Sequence, residues 1–266
     1  MLYGAMNSPL RPVLDEVKAV AALNFDYLEL TMDPPHAGPE TIQRLKQEIR
    51  KALKEHDLGL VCHLPTFVSA ADLTERIRRA SVDEVLACLE VAAEIEPLKI
   101  VLHPPYVVGL GAFVPELAKT RAMESLETIM DKSAELGLRV CLENMFPRTQ
   151  WLTNPEEFVD LLAKFPTLNL TLDVAHANLG DTGEKKCLRF IEMFPDRIGH
   201  LHVSDNFGKE DLHLPIGAGI IDFPEVVKAL KATGYNDTMT LEVFSRDREY
   251  LKISKRKMAE MFESLA

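Results

Sequence analysis

Several things are missing from this 266-residue sequence, and each omission narrows its chemistry. No apolar run approaches the roughly 20 residues of a membrane span, and no basic segment followed by an apolar stretch comes after Met1. The expectation is a cytoplasmic protein with no membrane partner. Basic residues are in the minority, with 30 Lys+Arg against 41 Asp+Glu and a formal net charge of −11, which argues against a broad nucleic-acid footprint. None of the four cysteines forms a CxxC pair. Cys62 and Cys141 lie inside apolar runs, where a free thiol behaves as a small hydrophobe, so reduced core thiols are expected. Linkers and low-complexity tracts are also lacking, and residues 1–266 read as one domain.

What is present is alternation. Short runs rich in Val, Ile and Leu fall at Leu2–Met6, Tyr27–Met32, Leu58–Leu64, Leu98–His103, Leu138–Glu143, Leu168–Val174, Ile198–Val203 and Met239–Phe244. Such runs suit strands buried on both faces. Amphipathic stretches separate them. Thr41 to Glu55 carries Ile42, Leu45, Ile49 and Leu53 at helical spacing. Ser81 to Glu94 opens on Ser-Val-Asp-Glu, a capping pattern. Arg121 to Leu136 closes at Gly137, and Pro155 and Phe223-Pro224 open two further helices. Strand–helix alternation gives a parallel sheet. Eight units in this length predict a single (β/α)8 TIM barrel. An open doubly wound sheet would want a glycine-rich loop after the first strand, and Asn7-Ser8-Pro9-Leu10-Arg11-Pro12 is not one.

The strand ends carry the chemistry. They are His63, His103, Glu143, Asp173, His202 and Glu242, at spacings of 40, 40, 30, 29 and 40 residues. Each step is one strand–helix unit, so a barrel would bring all six to one mouth. A lone polar strand end is usually a solvated terminus. Six in register is a different matter, because converging carboxylates repel one another unless a cation joins them. His, Glu and Asp are ligands for divalent Zn, Mn, Fe or Co. His36 and His56 lie in a loop and at a polar helix end and are left aside. Glu29 reads as a supporting residue, and so does His200, on the same strand face as His202.

At Cys62-His63-Leu64-Pro65, Leu102-His103-Pro104, Glu143-Asn144-Met145, Asp173-Val174-Ala175-His176, His200-Leu201-His202-Val203-Ser204-Asp205, Asp211-Leu212-His213, Gly217-Ala218-Gly219-Ile220-Ile221-Asp222-Phe223 and Leu241-Glu242-Val243, the chain resembles the xylose-isomerase-like TIM-barrel superfamily. This grouping holds endonuclease IV, sugar isomerases and ketose 3-epimerases. The isomerase and epimerase branch implies one divalent ion on Glu143, Asp173, His202 and Glu242. Glu143 and Glu242 would also move the substrate proton, and His63, His103 and His176 would contact a small carbohydrate or sugar phosphate. The endonuclease IV branch implies up to three ions. His63 and His103 would join Glu143 on the first, Asp173, His202 and Glu242 would hold the second with Glu143 bridging, and His176, Asp211 and His213 would hold the third. Abasic DNA would then be the partner.

The loop Asp33 to Pro39 holds neither an arginine nor a large aromatic, and the position after Pro65 is Thr66, followed by Phe67. Asn206-Phe207-Gly208-Lys209 lacks the arginine that some epimerases place there. Phe67, Tyr106, Phe146, Trp151 and Phe207 are candidates to stack on a sugar face. The preferred expectation is a metal-dependent isomerase or epimerase working through an enediolate. An endonuclease IV-like phosphodiesterase and a non-catalytic sugar-binding barrel are the alternatives. Oligomeric state is left open, a homo-oligomer among the options.

Overall fold

The eight apolar runs become eight parallel strands: β1 (Leu2–Met6), β2 (Tyr27–Thr31), β3 (Gly59–His63), β4 (Ile100–Leu102), β5 (Val140–Glu143), β6 (Asn169–Asp173), β7 (Ile198–Val203) and β8 (Thr238–Leu241). Each pairs with its neighbours in chain order, and β8 returns to β1 to close the barrel. This is a computed structural model, and it describes every residue except Val108, Thr182, Glu184 and Ala266. The helices are α1 (Val13–Ala21), α2 (Pro39–Glu55), α3 (Glu75–Ile95), α4 (Pro115–Glu135), α5 (Val159–Lys164), α6 (Val174–Asn178), α7 (Lys186–Met193), α8 (Phe223–Ala232) and α9 (Glu249–Ser264). Among the described residues, no helix is long and apolar enough to cross a membrane.

Period-two alternation sorts the strand residues into two compartments. Outward side chains such as Leu28, Leu30, Leu60, Cys62, Ile100 and Leu102 join the large core between sheet and helices. The helices answer with apolar stripes; α2 buries Ile42, Ile49 and Leu53, each worth roughly 1.5–3 kcal/mol when fully covered. Inward, Tyr27, Val61 and Val101 form a small separate cluster. Gly4 makes room for it, since a Cβ there would lie 2.0 Å from the Tyr27 ring. Above this cluster the inward positions turn polar. Glu29, His63, Glu143, Asp173, His200 and His202 are all buried. Adjacent registers, such as Thr31 beside His63 and Asp173 beside His202, bring these side chains to one level.

Two helices start more than a turn earlier than expected, α4 at Pro115 instead of Arg121, and α3. Ser81 does not open α3, which begins six residues earlier at Glu75. The turn Glu75 to Arg79 has little apolar periodicity. It is held by Glu75 pairing with Arg78 at 2.5 Å and with Arg79 at 2.7 Å, the i,i+3 and i,i+4 contacts of an exposed helix. Ser81 instead accepts the Ser69 N–H at 3.0 Å and ties down the β3–α3 loop. The Asn154–Glu157 pair does form a capping box.

Candidate metal centre

Glu143 ends β5 at the centre of the mouth. Its Oε2 lies 3.0 Å from His103 Nε2 and 3.8 Å from His63 Nε2. Its Oε1 lies 3.2 Å from His176 Nδ1 and 3.4 Å from His202 Nδ1. His202 Nδ1 is also 3.1 Å from Glu242 Oε1 and 4.0 Å from Asp173 Oδ2. Glu242 Oε2 reaches His213 Nδ1 at 3.6 Å, and Asp211 Oδ2 lies 3.0 Å from His213 Nε2 and 3.3 Å from His176 Nε2. All nine residues singled out in the sequence therefore meet in one cluster.

The chain aims each donor by occupying its other end. His63 Nδ1 is turned to the Leu64 carbonyl at 2.8 Å and His103 Nδ1 to the Tyr106 hydroxyl, so both present Nε2. The Asn144 side chain accepts the Asp173 N–H at 2.8 Å and donates to the Asp173 carbonyl at 3.0 Å, clamping β6 to β5. Asp173 Oδ1 caps α6 on the His176 N–H, which leaves Oδ2 free. His202 Nε2 donates to Glu29 at 2.9 Å, and the other Glu29 oxygen accepts from His200 at 3.0 Å. Thr238 satisfies His200 Nδ1 at 2.7 Å. Glu29 thus fixes the ring of His202 with Nδ1 facing the mouth.

These atoms fit a cation. Both Glu143 oxygens, Asp173 Oδ2, His202 Nδ1 and His213 Nδ1 are buried and, among the described residues, have no hydrogen-bond partner, although charged neighbours lie close. Their contacts have the spacing of ligands around a point. Among the described residues, His63–His103–Glu143 and Glu143–Asp173–His202 each place three ligand atoms within 4.8 Å of one another. Glu29–His200–His202 has the same spacing, but its atoms are consumed by hydrogen bonds. Glu242 joins the second group through His202. His176, Asp211 and His213 are linked pairwise through Asp211.

Without a cation, protons must do the neutralising. Burial works against Glu143 ionising, yet His202 and His103 outweigh it and hold the carboxyl well below its usual range. Burial likewise opposes the charge on His202, but Glu242, Glu29 and Glu143 hold that imidazole well above its ordinary value. Asp173 is pushed up to about 7 by burial, against the pull of His176. A divalent ion must displace protons from such groups. Zinc added to the ion-free protein in weak buffer is therefore expected to release protons, with affinity falling as pH falls through the raised imidazole range. A pH-independent affinity with no proton release would count against ligation by these residues.

The long β7–α8 connection, which carries Asp211 and His213, hangs on a buried carboxylate. Asp205 accepts from the N–H groups of Gly217 at 2.9 Å, Gly219 at 2.8 Å and Ile221 at 3.2 Å. A Cβ on Gly219 would lie 2.3 Å from the Asn206 carbonyl oxygen and 2.4 Å from Asp205 Oδ1. The Gly217–Phe223 motif is thus a loop anchor. Gly219→Ala is expected to cost about 1–3 kcal/mol, by overpacking against backbone, and to loosen Asp211 and His213. Denaturant titration measures the first effect and metal stoichiometry the second; an unchanged midpoint would refute the anchor.

Above the cluster opens a cavity of about 1000 Å³. Phe67, Tyr106 and Phe146 line it, as does Phe244, which the sequence did not single out. Phe67 is 88% exposed. Trp151 is buried in the core and Phe207 lies outside the lining. Arg11, Arg148, Arg246 and Arg248 also line the cavity, and among the described residues no lysine does. No strand-end spacing marks these arginines, because they sit on loops.

The family model described as xylose isomerase-like TIM barrel matches residues 17–265. The chain belongs to this family. An uncharacterized protein of Methanocaldococcus jannaschii is 31% identical over 98% of this chain and 92% of its own length. Fructoselysine 3-epimerase of Escherichia coli O157:H7 is 20% identical over 96% of this chain and 94% of its own. A crystal structure of a D-tagatose 3-epimerase-like protein superposes with a TM-score of 0.86 at 26% identity, covering 100% of this chain and 98% of that one. This xylose isomerase-like chain therefore shares its full barrel with a protein described as epimerase-like, and its ligand-spaced residues sit at the mouth of that barrel.

Proposed function

We propose that this xylose isomerase-like protein is a divalent-metal-dependent isomerase or epimerase of small sugars. One observation carries the reading. Glu143 and Glu242 both reach His202 Nδ1, at 3.4 and 3.1 Å, under a cavity large enough for a monosaccharide. Moving a proton at a carbon next to a carbonyl needs a base on one side and an acid to return the proton. Glu143 and Glu242 supply the two carboxyls. Glu143, Asp173, His202 and Glu242 would hold the ion, which when bound supplies an electrophile for the oxygens of the substrate. His63, His103 and His176 would orient substrate hydroxyls, and the phenyl rings of Phe146 and Phe244 offer apolar faces to the carbons of the sugar ring. The epimerase names among the relatives support the same reading.

A second reading is an endonuclease IV-like phosphodiesterase. It is favoured by the presence of all nine ligand-type residues in one cluster, where three ions would serve phosphodiester hydrolysis. The test is direct. Ion-loaded protein is incubated in D2O with a panel of ketopentoses and ketohexoses, and in parallel with an oligonucleotide carrying one abasic site. The proposal expects a new epimer or isomer carrying one solvent deuteron on carbon, and no strand cleavage. Cleavage without any ketose conversion would overturn it in favour of the second reading.

A further inference from the structure

The substrate class can be narrowed by the side of the mouth where β1 meets β8. Arg11 follows β1, and Arg246 and Arg248 follow β8; all three line the cavity. Two of them share one buried carboxylate. Glu16, on α1, is fully buried and lies 3.3 Å from Arg11 Nε and 2.5 Å from Arg248 Nη2, while also accepting the Ser8 N–H at 2.9 Å. One carboxylate against two guanidiniums leaves a positive surplus. Arg248 Nη1 is buried and, among the described residues, has no hydrogen-bond partner. Arg246 is exposed and, among the described residues, has no carboxylate partner. The hydroxyl-bearing Ser8 and Ser245 stand on the same two loops and line the same cavity.

We propose that these residues form an anion subsite, so that the substrate is a sugar phosphate whose phosphate monoester sits between the β1 and β8 loops. This rests on the isomerase reading for the sugar, but the subsite itself does not. Guanidinium groups in planar, bidentate geometry suit phosphate oxygens, and a phosphate monoester offers three acceptor oxygens to a cluster of this size. A carboxylate would be satisfied by a single fork. The positive patch stands against a chain of net charge −11, so it is a local device and not part of a general attraction for anions. Reach is adequate. Glu242 and Arg246 are four residues apart on one loop, which limits their Cα separation to about 14 Å. A short sugar phosphate and two side chains can bridge that gap. Glu16 is a positioning residue here, holding Arg11 and Arg248 toward the mouth.

Two measurements test the subsite. Calorimetry with inorganic phosphate on the ion-loaded protein should give binding that Arg246→Gln and Arg248→Gln each weaken tenfold or more. Kinetics on matched pairs of free ketoses and their terminal monophosphates should show a preference of 100-fold or more in kcat/KM for the phosphates, falling at least tenfold in either variant. If Arg248→Gln does not fold, the exposed Arg246→Gln carries the test alone. Equal use of free and phosphorylated sugars overturns the proposal. So does a preference for sugar acids over sugar phosphates, or phosphate binding indifferent to both substitutions. Phosphate binding that the arginine variants abolish, with no ketose turned over, supports the subsite and overturns the isomerase reading only. Cleavage of an abasic oligonucleotide with no affinity for sugar phosphates overturns the subsite as drawn.

Discussion

Glu143→Gln and Glu242→Gln are each expected to lower turnover by about 10³-fold or more while leaving the fold intact. Proton transfer by a placed carboxyl contributes roughly 10²–10⁴, and an amide neither takes nor returns a proton at neutral pH. The two variants should differ in metal content. Glu143 belongs to both ligand-spaced groups, and both its oxygens are buried and unpartnered, so Glu143→Gln should lose most of the bound ion. Glu242 touches the second group only through His202, so Glu242→Gln should retain more. Turnover with saturating substrate, circular dichroism and elemental analysis of the two proteins separate these effects. Wild-type turnover in either variant would remove that residue from the chemistry.

The sequence made the mouth legible because the barrel repeats itself. Strand–helix units of similar length put His63, His103 and Glu143 at equal steps, and period-two alternation forces residues of one parity inward. That is why single letters at strand ends could be read as one cluster. Features held by loops left no such trace. The arginines around the cavity lie on connections whose path no periodicity sets, and the absence of an arginine after Asn206 gave no hint that Arg11, Arg246 and Arg248 reach the mouth from β1 and β8. Short or polar helices were missed for the same reason. The α6 helix is one turn capped by Asp173, and the start of α3 rests on ion pairs, not on an apolar stripe. Trp151, which from its place after β5 could be either loop packing or a sugar platform, packs into the core. Gly219 was visible as part of a motif; only its clash with the Asn206 carbonyl says why a side chain is refused there.

Glu29→Gln should have a large effect at a distance from any substrate. Glu29 is wholly buried inside the barrel, and its two oxygens accept from His202 and His200 while Thr240 also donates to it. Burial alone would favour the neutral acid, but the two imidazoles hold the carboxyl well below its usual range. Glutamine has one acceptor oxygen and an NH2 group. It can satisfy one imidazole N–H and must turn a donor toward the other. Breaking a buried charge-assisted contact of this kind costs about 3–5 kcal/mol, so a lower melting temperature is expected. The more specific consequence concerns His202. With its Nε2 no longer fixed, its Nδ1 is no longer held toward Glu143, Asp173 and Glu242, and metal affinity should fall about 10–100-fold. Competition with a chelator gives that affinity directly. Excess metal should restore part of the turnover of Glu29→Gln but not that of Glu242→Gln, because only the first keeps both carboxyls proposed to move the proton. A destabilised variant with wild-type metal affinity would reduce Glu29 to a polar filler of the barrel interior.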